Sequence, residues 1–326
     1  MKDKQPKFVR SFYSYIVGLV LLMLLLTVTA WNSTTSNSPK LAFAVMVHNE
    51  NTVEGAIELM DILYPSDHCF LIHFDKNTPI ASMNQFLKLF PFVLVAKSFN
   101  VEWGKYSMIE AELELLKVSR QCEYDHLMFM DGQTFPLKRT LEIELQLQQI
   151  PKSNSIVFSR IPEYGTDIPT CKIGSPTKHA CARTLARCED VECTTFTRTP
   201  HNAPLYKGPQ WSVLSTKFIA YMLSNDEWLS EWNEFFEQTV MPDEQYFQTL
   251  LMDSPFKDNK SLLEEDWMKT VWKDCKTYVT TRSKRGYSPC TLGIKDYSVH
   301  LEKSKSLFAR KIRAGDQLKS IIMQEG

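Results

Sequence analysis

Hydrophobic and polar positions follow two alternating patterns from residue 41 to residue 159. Short, continuous apolar runs predict strands buried on both faces at Leu41–Val47, Cys69–Phe74, Phe92–Ala96, His126–Met130 and Ser155–Ser159. Apolar residues at helical spacing predict helices between them, at Thr52–Leu63, Ser82–Leu89, Ser107–Val118 and Thr140–Gln149. This alternation indicates an α/β fold with a mostly parallel sheet flanked by helices.

The first three predicted strands are each followed by a residue suited to ligand contact. His48 follows the first strand, Asp75 follows the second, and Trp103 lies in a turn beyond the third. Ligands of such sheets bind outside the carboxyl ends of the strands. The three residues are therefore predicted to line one crevice.

The alternating pattern stops at Ile161–Ala203, where four cysteines and several prolines and glycines predict an irregular, disulfide-stapled insertion. A strand is predicted to follow at Gln210–Leu214 and a helix at Thr216–Leu223. A further helix is predicted from Pro242 onward.

Glu244 lies in the first turn of this last predicted helix. The buried face of the helix would be formed by Phe247, Leu250 and Leu251. Asp243 and Glu244 have a structural interpretation, because acidic side chains cap helix N-termini and suit the helix dipole. They also have a chemical one, because a carboxylate on a rigid element can act as a general base toward a hydroxyl. The residues alone leave both interpretations open.

The N-terminal residues 12–31 are predicted to be a transmembrane anchor. Ile16–Ala30 is almost wholly apolar and has aromatic residues at its ends, and residues 12–31 together have the length of about 20 residues needed to span a bilayer. Basic residues precede it, whereas residues 32–39 carry no charge, so the N-terminus is predicted to be cytosolic. A cleaved signal peptide, with Val28–Ala30 as cleavage site, is the alternative. The predicted organisation is a cytoplasmic tail (1–11), the anchor (12–31), a short stem (32–40) and a lumenal domain (41–326).

Eight cysteines, all beyond the anchor, favour disulfides in an exported domain. Cys69 could pair with Cys122, and Cys275 with Cys290. Three connectivities stay open for Cys171, Cys181, Cys188 and Cys193. Zinc is the weaker alternative for these four, because they contain no C-x-x-C pair. Asn32 and Asn259 lie in glycosylation sequons that only a lumenal domain could use.

Charge and motifs exclude several function classes. The net charge of −1 gives no indication of a nucleic-acid partner. The sequence lacks the motifs of dinucleotide enzymes, P-loop kinases, elbow-type serine hydrolases and zincin proteases. No Asp-x-Asp follows an apolar strand, so a divalent metal held by such a motif is not indicated, and no motif indicates another cofactor. A basic C-terminal run could stabilise a diphosphate without metal, or could simply be a solvated surface: Lys295, Lys303, Lys305, Arg310, Lys311 and Arg313.

Seven short segments carry a family resemblance in a fixed order. They are Ala44–His48 (AVMVH), Ile72–Lys76 (IHFDK), Val101–Gly104 (VEWG), Gly132–Lys138 (GQTFPLK), Lys207–Trp211 (KGPQW), Pro242–Glu244 (PDE) and Leu307–Lys311 (LFARK). In this order the chain resembles the core-2/I-branching β-1,6-N-acetylglucosaminyltransferases, a family that includes the peptide xylosyltransferases.

The resemblance implies a GT-A-like fold in a single-pass type II Golgi membrane protein with a lumenal catalytic domain. It also implies inverting, metal-independent transfer of GlcNAc from UDP-GlcNAc to a hydroxyl of an O-glycan or glycoprotein acceptor, forming a β-1,6 branch. Glu244 would be the catalytic base. Lys311 and Lys295 would hold the diphosphate, and His48, Asp75 and Trp103 would contact the uridine end.

Two residues depart from the family pattern. Thr134 stands where the family usually has Asp, and Lys295 stands in place of an Arg, which would bind phosphate with a bidentate fork. Two alternatives follow. One is a β-xylosyltransferase that uses UDP-xylose, and the other is a membrane-anchored glycan-binding or scaffold protein without activity.

Overall fold

Strands β1 and β4 lie side by side at the centre of a seven-stranded sheet. The structure, a computed structural model, describes residues 39–64, 66–157, 199–237, 239, 241–262, 266–278 and 288–325 of the 326-residue chain. The strands are β1 (Leu41–Val47), β2 (Cys69–Phe74), β3 (Leu94–Val95), β4 (His126–Asp131), β5 (Phe135–Pro136), β6 (Ser155–Val157), β7 (Val213–Ser215), β8 (Lys260–Leu262), β9 (Met268–Thr270) and β10 (Phe308–Arg310). The α-helices are α1 (Glu50–Leu63), α2 (Ile80–Leu89), α3 (Ser107–Ser119), α4 (Thr140–Gln148), α5 (Thr216–Ser224), α6 (Asp226–Glu237), α7 (Tyr246–Met252) and α8 (Gln317–Glu325).

The large sheet has the order β3-β2-β1-β4-β7-β6-β8. Within the described residues, four of its six strand pairings are parallel, and β7 is antiparallel to both β4 and β6. The α/β class and the mostly parallel sheet are therefore confirmed. In register, Val47 pairs with Phe74 and Met46 with Asp131, so the carboxyl ends of β1, β2 and β4 share one edge.

The predicted bounds of β1 and β2 are confirmed, and those of the third strand are wrong. Only Leu94 and Val95 form β3. Pro91 has no N–H to donate, and Val93 N donates to Phe90 O in a turn, so pairing starts late. The ring of Phe92 stacks on that of Tyr64, 4.2 Å between centroids.

The strand predicted at Gln210–Leu214 lies at Val213–Ser215 instead. The side chain of Gln210 donates to Glu112 Oε1 (3.1 Å), and the carbonyl oxygen of Trp211 accepts from Trp267 Nε1 (3.0 Å). These tertiary contacts shape residues 210–211 as a loop, which the local pattern does not reveal.

A second, three-stranded sheet has the order β5-β10-β9. It has its own apolar cluster, which includes Phe135, Cys290, Leu292, Ala309 and Ile312. A Cys275–Cys290 disulfide braces this region, and a Cys69–Cys122 disulfide joins the start of β2 to the segment after α3. Both expected pairings are present.

The described residues from Lys40 onward form one compact unit. The predicted anchor, Asn32, most of the stem and the cluster of Cys171, Cys181, Cys188 and Cys193 lie outside the described residues. Among the helices that the structure does describe, none combines the length and the apolar character needed to cross a bilayer. Asn259 is described and half-buried, with its side-chain nitrogen 3.5 Å from Ser153 Oγ and from Asn154 Oδ1.

Candidate active site

Asp75, one of the three residues predicted to line the crevice, makes hydrogen bonds to the end of β1 and to the loop after β3. It directly follows β2, is 4% exposed, and its backbone N donates to Val47 O (2.8 Å) at the end of β1. Its carboxylate accepts from the backbone N of Asn77 and of Val101, both at 2.7 Å. Asp75 thus fixes the loop that leads to Trp103. His48 follows β1 with an exposed side chain, and its backbone N donates to Thr52 Oγ1 (3.0 Å).

The Trp103–Gly104 turn is joined to the segment that carries Glu244. Gly104 has a φ of 71°, a left-handed conformation that favours glycine, and Gly104 O accepts from Met241 N (3.1 Å). Trp103 itself is 56% exposed. The structure therefore places the predicted uridine-contact turn directly beside the predicted catalytic turn.

Glu244 does not lie in the first turn of an α-helix, so that part of the prediction is wrong. Pro242–Glu244 is a separate 3₁₀ turn, and α7 starts only at Tyr246. Gln245, with a φ of −139°, interrupts the helical path and stands at the N-cap position of α7, where its side chain makes no capping hydrogen bond. The predicted burial of the following helix is confirmed: Phe247, Leu250 and Leu251 are at most 1% exposed.

The carboxylate of Glu244 faces the loop 207–210. Lys207 Nζ lies 2.9 Å from Glu244 Oε2, and Gly208 N donates to Glu244 O (2.8 Å). Gln248 Nε2 donates to Pro209 O (2.7 Å). A Cβ on Gly208 would lie 2.7 Å from Gln248 Nε2, so glycine allows the loop to seat against α7. The Glu244 side chain stays 26% exposed, so its carboxylate is accessible from solvent.

Two carboxyl groups near Glu244 are buried, one within this turn and one on α3. Asp243 is 8% exposed, and burial, followed by the negative charge of Glu244, raises its pKa to about 7. Glu112 of α3 is fully buried, and burial with the charge of Asp243 raises its pKa well above the usual value. Gln210 Nε2 donates to Glu112 (3.1 Å) and joins α3 to the 207–210 loop. Sequence analysis missed Glu112 and Lys207 as parts of this site.

The two predicted diphosphate lysines lie on adjoining segments of the second apolar cluster. Leu292 N donates to Lys311 O (2.7 Å), and Leu292 forms an isolated parallel β-bridge with Ile312. These contacts bring the Lys295 segment beside Lys311. Lys295 is exposed, and its backbone N donates to Thr277 Oγ1 (3.1 Å). Lys311 is half-buried with Nζ 3.3 Å from Ser288 Oγ; burial, then the charge of Arg310, lowers its pKa.

Trp211 connects the lysine segment with the Glu244 segment. It continues the 207–210 loop, and the guanidinium of Arg310 lies 4.3 Å from the centre of its ring. Arg310 Nη2 also donates to Asp131 Oδ2 at 2.5 Å. Burial alone would raise the pKa of Asp131, but Arg310 and the hydroxyl of Thr134 lower it overall. Sequence analysis did not identify Asp131 as a site residue. Asp131 comes directly after the predicted strand His126–Met130, just as Asp75 comes directly after the predicted strand Cys69–Phe74.

No group of three or more His, Cys, Asp or Glu side chains in the described residues is arranged to hold a metal ion. Metal independence stays a prediction.

Known proteins resemble this chain over most of its folded part. A sequence profile of the family described as "Core-2/I-Branching enzyme" matches residues 41–304. A mouse protein named beta-1,3-galactosyl-O-glycosyl-glycoprotein beta-1,6-N-acetylglucosaminyltransferase 4 is 25% identical over 65% of this chain and 46% of its own length. A human protein named beta-1,3-galactosyl-O-glycosyl-glycoprotein beta-1,6-N-acetylglucosaminyltransferase is 24% identical over 64% of this chain and 48% of its own. The chain thus spans about half the length of the curated relatives it matches.

Among solved structures, that of S. aureus TarS residues 1–349 in complex with UDP is similar at 13% identity, over 69% of this chain and 58% of that chain. Its TM-score of 0.32 is too low to carry an argument. The profile match, by contrast, covers well over half of the chain. The chain therefore belongs to the Core-2/I-branching enzyme family.

Proposed function

We propose that the chain is an inverting glycosyltransferase that moves GlcNAc from UDP-GlcNAc to a hydroxyl of an O-glycan acceptor, forming a β-1,6 linkage. The observation that carries this proposal is the setting of Glu244. Its carboxylate is partly exposed, lies on a turn fixed by backbone bonds to Gly208 and Met241, and faces the ammonium of Lys207. The relatives' names describe the same class of reaction.

In the proposed reaction, Glu244 removes the proton of an acceptor hydroxyl as its oxygen attacks the anomeric carbon. The new carbon–oxygen bond forms while the bond from that carbon to the β-phosphate oxygen breaks, and the electron pair leaves with UDP. A single in-line displacement inverts an α-linked donor to a β-linked product. The incoming hydroxyl must displace the ammonium of Lys207 from the oxygen of Glu244 that accepts the proton.

The leaving group would be stabilised by positive charge. Lys311 and Lys295 would hold the diphosphate electrostatically, without a divalent metal or other cofactor. The uridine end would lie toward His48, Asp75 and Trp103. Since the backbone oxygen of Gly104 accepts a hydrogen bond from Met241, donor and base would be brought together by one continuous hydrogen-bonded segment.

The setting proposed for this chemistry is the Golgi lumen. The fold would be GT-A-like, and residues 12–31 would anchor the chain as a type II membrane protein. The disulfides at Cys69–Cys122 and Cys275–Cys290 are consistent with an oxidising compartment. In this compartment Asn32 and Asn259 would carry N-linked glycans.

Substitution of Glu244 by Gln tests the role of the base. The amide keeps the size of the side chain but cannot accept a proton, so turnover should fall by a factor of about 10² or more. The affinity for UDP should stay unchanged, because the diphosphate lies on other residues. The measurements are UDP release in the presence of acceptor, and UDP binding by calorimetry.

Glu227→Gln, an exposed acid-to-amide change on α6, serves as the matched control and should leave both quantities unchanged. Glu244→Gln protein that retains its turnover would rule out Glu244 as the base. Loss of UDP binding together with turnover would instead place Glu244 in the donor site.

A further inference from the structure

Arg310 is held on two sides by residues from other elements. Its Nη2 donates to Asp131 Oδ2 at 2.5 Å, and its guanidinium lies 4.3 Å from the centre of the Trp211 ring. Both charged side chains are nearly buried, with 12% and 10% of their areas exposed. Because Asp131 ends β4 and Arg310 ends β10, this ion pair joins the large sheet to the small one.

The carboxylate of Asp131 has a fixed orientation. Its Oδ1 accepts from Thr134 Oγ1 and from the backbone N of Gln133, both at 3.0 Å, while Oδ2 is paired with Arg310. Thr134 is 1% exposed, so these bonds are shielded from water. The departure from the family pattern at Thr134 therefore has a structural role, in which its hydroxyl completes the bonding of Asp131.

The same turn also holds the backbone on the far side of Lys311. Gln133 O accepts from Ile312 N at 2.8 Å. The residues on both sides of Lys311 are thus bound to the turn 131–134, Arg310 through its side chain and Ile312 through its backbone. Lys311 itself is left with its Nζ beside Ser288 Oγ.

We propose that Asp131 and Arg310 are positioning residues that fix Lys311 in the diphosphate site; the inference rests on the proposed function. In this arrangement Asp131 holds Nη2 of Arg310 and Trp211 covers one face of its guanidinium, while the buried Nε has no hydrogen-bond partner in the described residues, so the Arg310 side chain is fixed where the two sheets meet. Asp131 also compensates the charge of Arg310 next to Lys311. Burial and then the charge of Arg310 lower the pKa of Lys311, and the charge of Asp131 offsets part of this effect.

The test compares UDP with uridine, because the ratio of their affinities isolates the contribution of the diphosphate. Calorimetry on the full chain would measure both dissociation constants for Asp131→Asn, Arg310→Lys and Lys311→Ala. Asp131→Asn should weaken UDP binding about tenfold and leave uridine binding unchanged, a coupling typical of one hydrogen-bond network. Arg310→Lys keeps the positive charge but loses the planar set of N–H donors of the guanidinium, and should have the same effect.

The double variant Asp131→Asn with Lys311→Ala should bind UDP no more weakly than Lys311→Ala alone, since the pair acts through Lys311. Glu142→Gln, which removes the acid of the exposed Arg139–Glu142 pair, is the matched control and should change neither constant.

Three results would overturn the inference. Tighter UDP binding by Asp131→Asn would mean that a freed Arg310 binds phosphate itself. Equal loss of UDP and uridine binding would mean that the pair only supports the fold. Unchanged affinities for both UDP and uridine in Asp131→Asn and Arg310→Lys would mean that Lys311 needs no such support. A wild-type chain that binds UDP no better than uridine would instead refute the proposed donor site itself.

Discussion

At the scale of single residues, the neighbouring carboxyl groups of Asp243 and Glu244 differ in their exposure to solvent. Asp243 is buried, and its pKa of about 7 leaves it partly protonated near neutral pH. Glu244, one residue on, is 26% exposed and paired with Lys207. A base must be reachable by its substrate, so the proposed role of general base fits the partly exposed Glu244 and not the buried Asp243.

His201 offers a titration that can be measured apart from the active site. Its ring nitrogens lie 2.8 Å from Asp253 Oδ2 and 2.9 Å from Glu231 Oε2. Asp253 Oδ2 also accepts from the indole nitrogens of Trp228 and Trp232. Burial alone would lower the pKa of His201, but Asp253 and Glu231 more than offset it and raise the pKa above its ordinary value.

A raised pKa stabilises the folded state below about pH 6.5, and this stabilisation is lost as the pH rises through the pKa of the folded protein. Between about pH 5.5 and about pH 8, the melting temperature of the wild type should therefore fall by about 1–3 °C more than that of His201→Gln. His300→Gln is the control, since His300 contacts only a backbone oxygen among its described hydrogen bonds. Equal pH dependence in wild type and His201→Gln would contradict the prediction.

At the scale of elements, one close crossing fixes the distance between α1 and the end of β4. A Cβ on Gly132 would lie 1.7 Å from the carbonyl oxygen of Thr52, and a Cβ on Gly55 would lie 1.8 Å from that of Gly132. Only hydrogen atoms fit between these two backbones. The crossing lies directly next to Asp131, and so it also determines where the Asp131–Arg310 pair lies.

Gly132→Ala should lower the free energy of unfolding by about 3 kcal/mol or more, because rigid backbone must move to admit the methyl group. Denaturant unfolding measures this loss. Gly315→Ala is the comparison, because Gly315 has a φ of 67° and nothing within 4 Å of its added Cβ. Its cost should be only about 1–2 kcal/mol, from backbone strain. Equal costs at the two positions would show that the crossing can relax.

At the scale of the whole molecule, the candidate site is assembled from segments that are far apart in the sequence. The ends of β1, β2 and β4, the loop 207–211, the turn Pro242–Glu244 and the segment 292–311 all contribute. Hydrogen bonds and ion pairs between these segments hold the residues of the candidate site, so the proposed use of a donor depends on the intact fold.

Donor choice is best measured on the purified chain, with EDTA present, against a panel of UDP-sugars with and without a core-1 O-glycan acceptor. UDP release should be specific for UDP-GlcNAc and stimulated by the acceptor by at least about tenfold, as expected when Glu244 requires a hydroxyl to deprotonate. Activity in EDTA would establish that no divalent metal is needed.

Each other outcome identifies an alternative. Release from UDP-xylose alone would make the chain a xylosyltransferase. No release from any donor by folded protein would favour the non-catalytic scaffold. In that case Thr134→Asp would be a poor reversion, since it would place a second carboxylate against Asp131 in a buried site.

The sequence by itself determined the elements whose periodicity is strong. The bounds of β1 and β2, the existence of α1 to α4 and the strand-end positions of His48 and Asp75 follow from local apolar patterns, which fix which face of each element is buried. The ordered motifs determined the family, because seven short matches in one order are specific where each alone is not. Helix α6 was not predicted, although the same periodicity indicates it, since Trp232, Phe235 and Phe236 recur at helical spacing.

The tertiary structure alone decided how the residues of the candidate site meet. Glu244 has a sequence context typical of a helix start, yet contacts with the Gly104 turn and the 207–210 loop hold it in a 3₁₀ turn of its own. Asp131 and Arg310 lie 179 residues apart, so no local pattern could pair them. Periodicity reports which side of an element faces the core, whereas the partner of a buried charge depends on which distant segment the fold places opposite it.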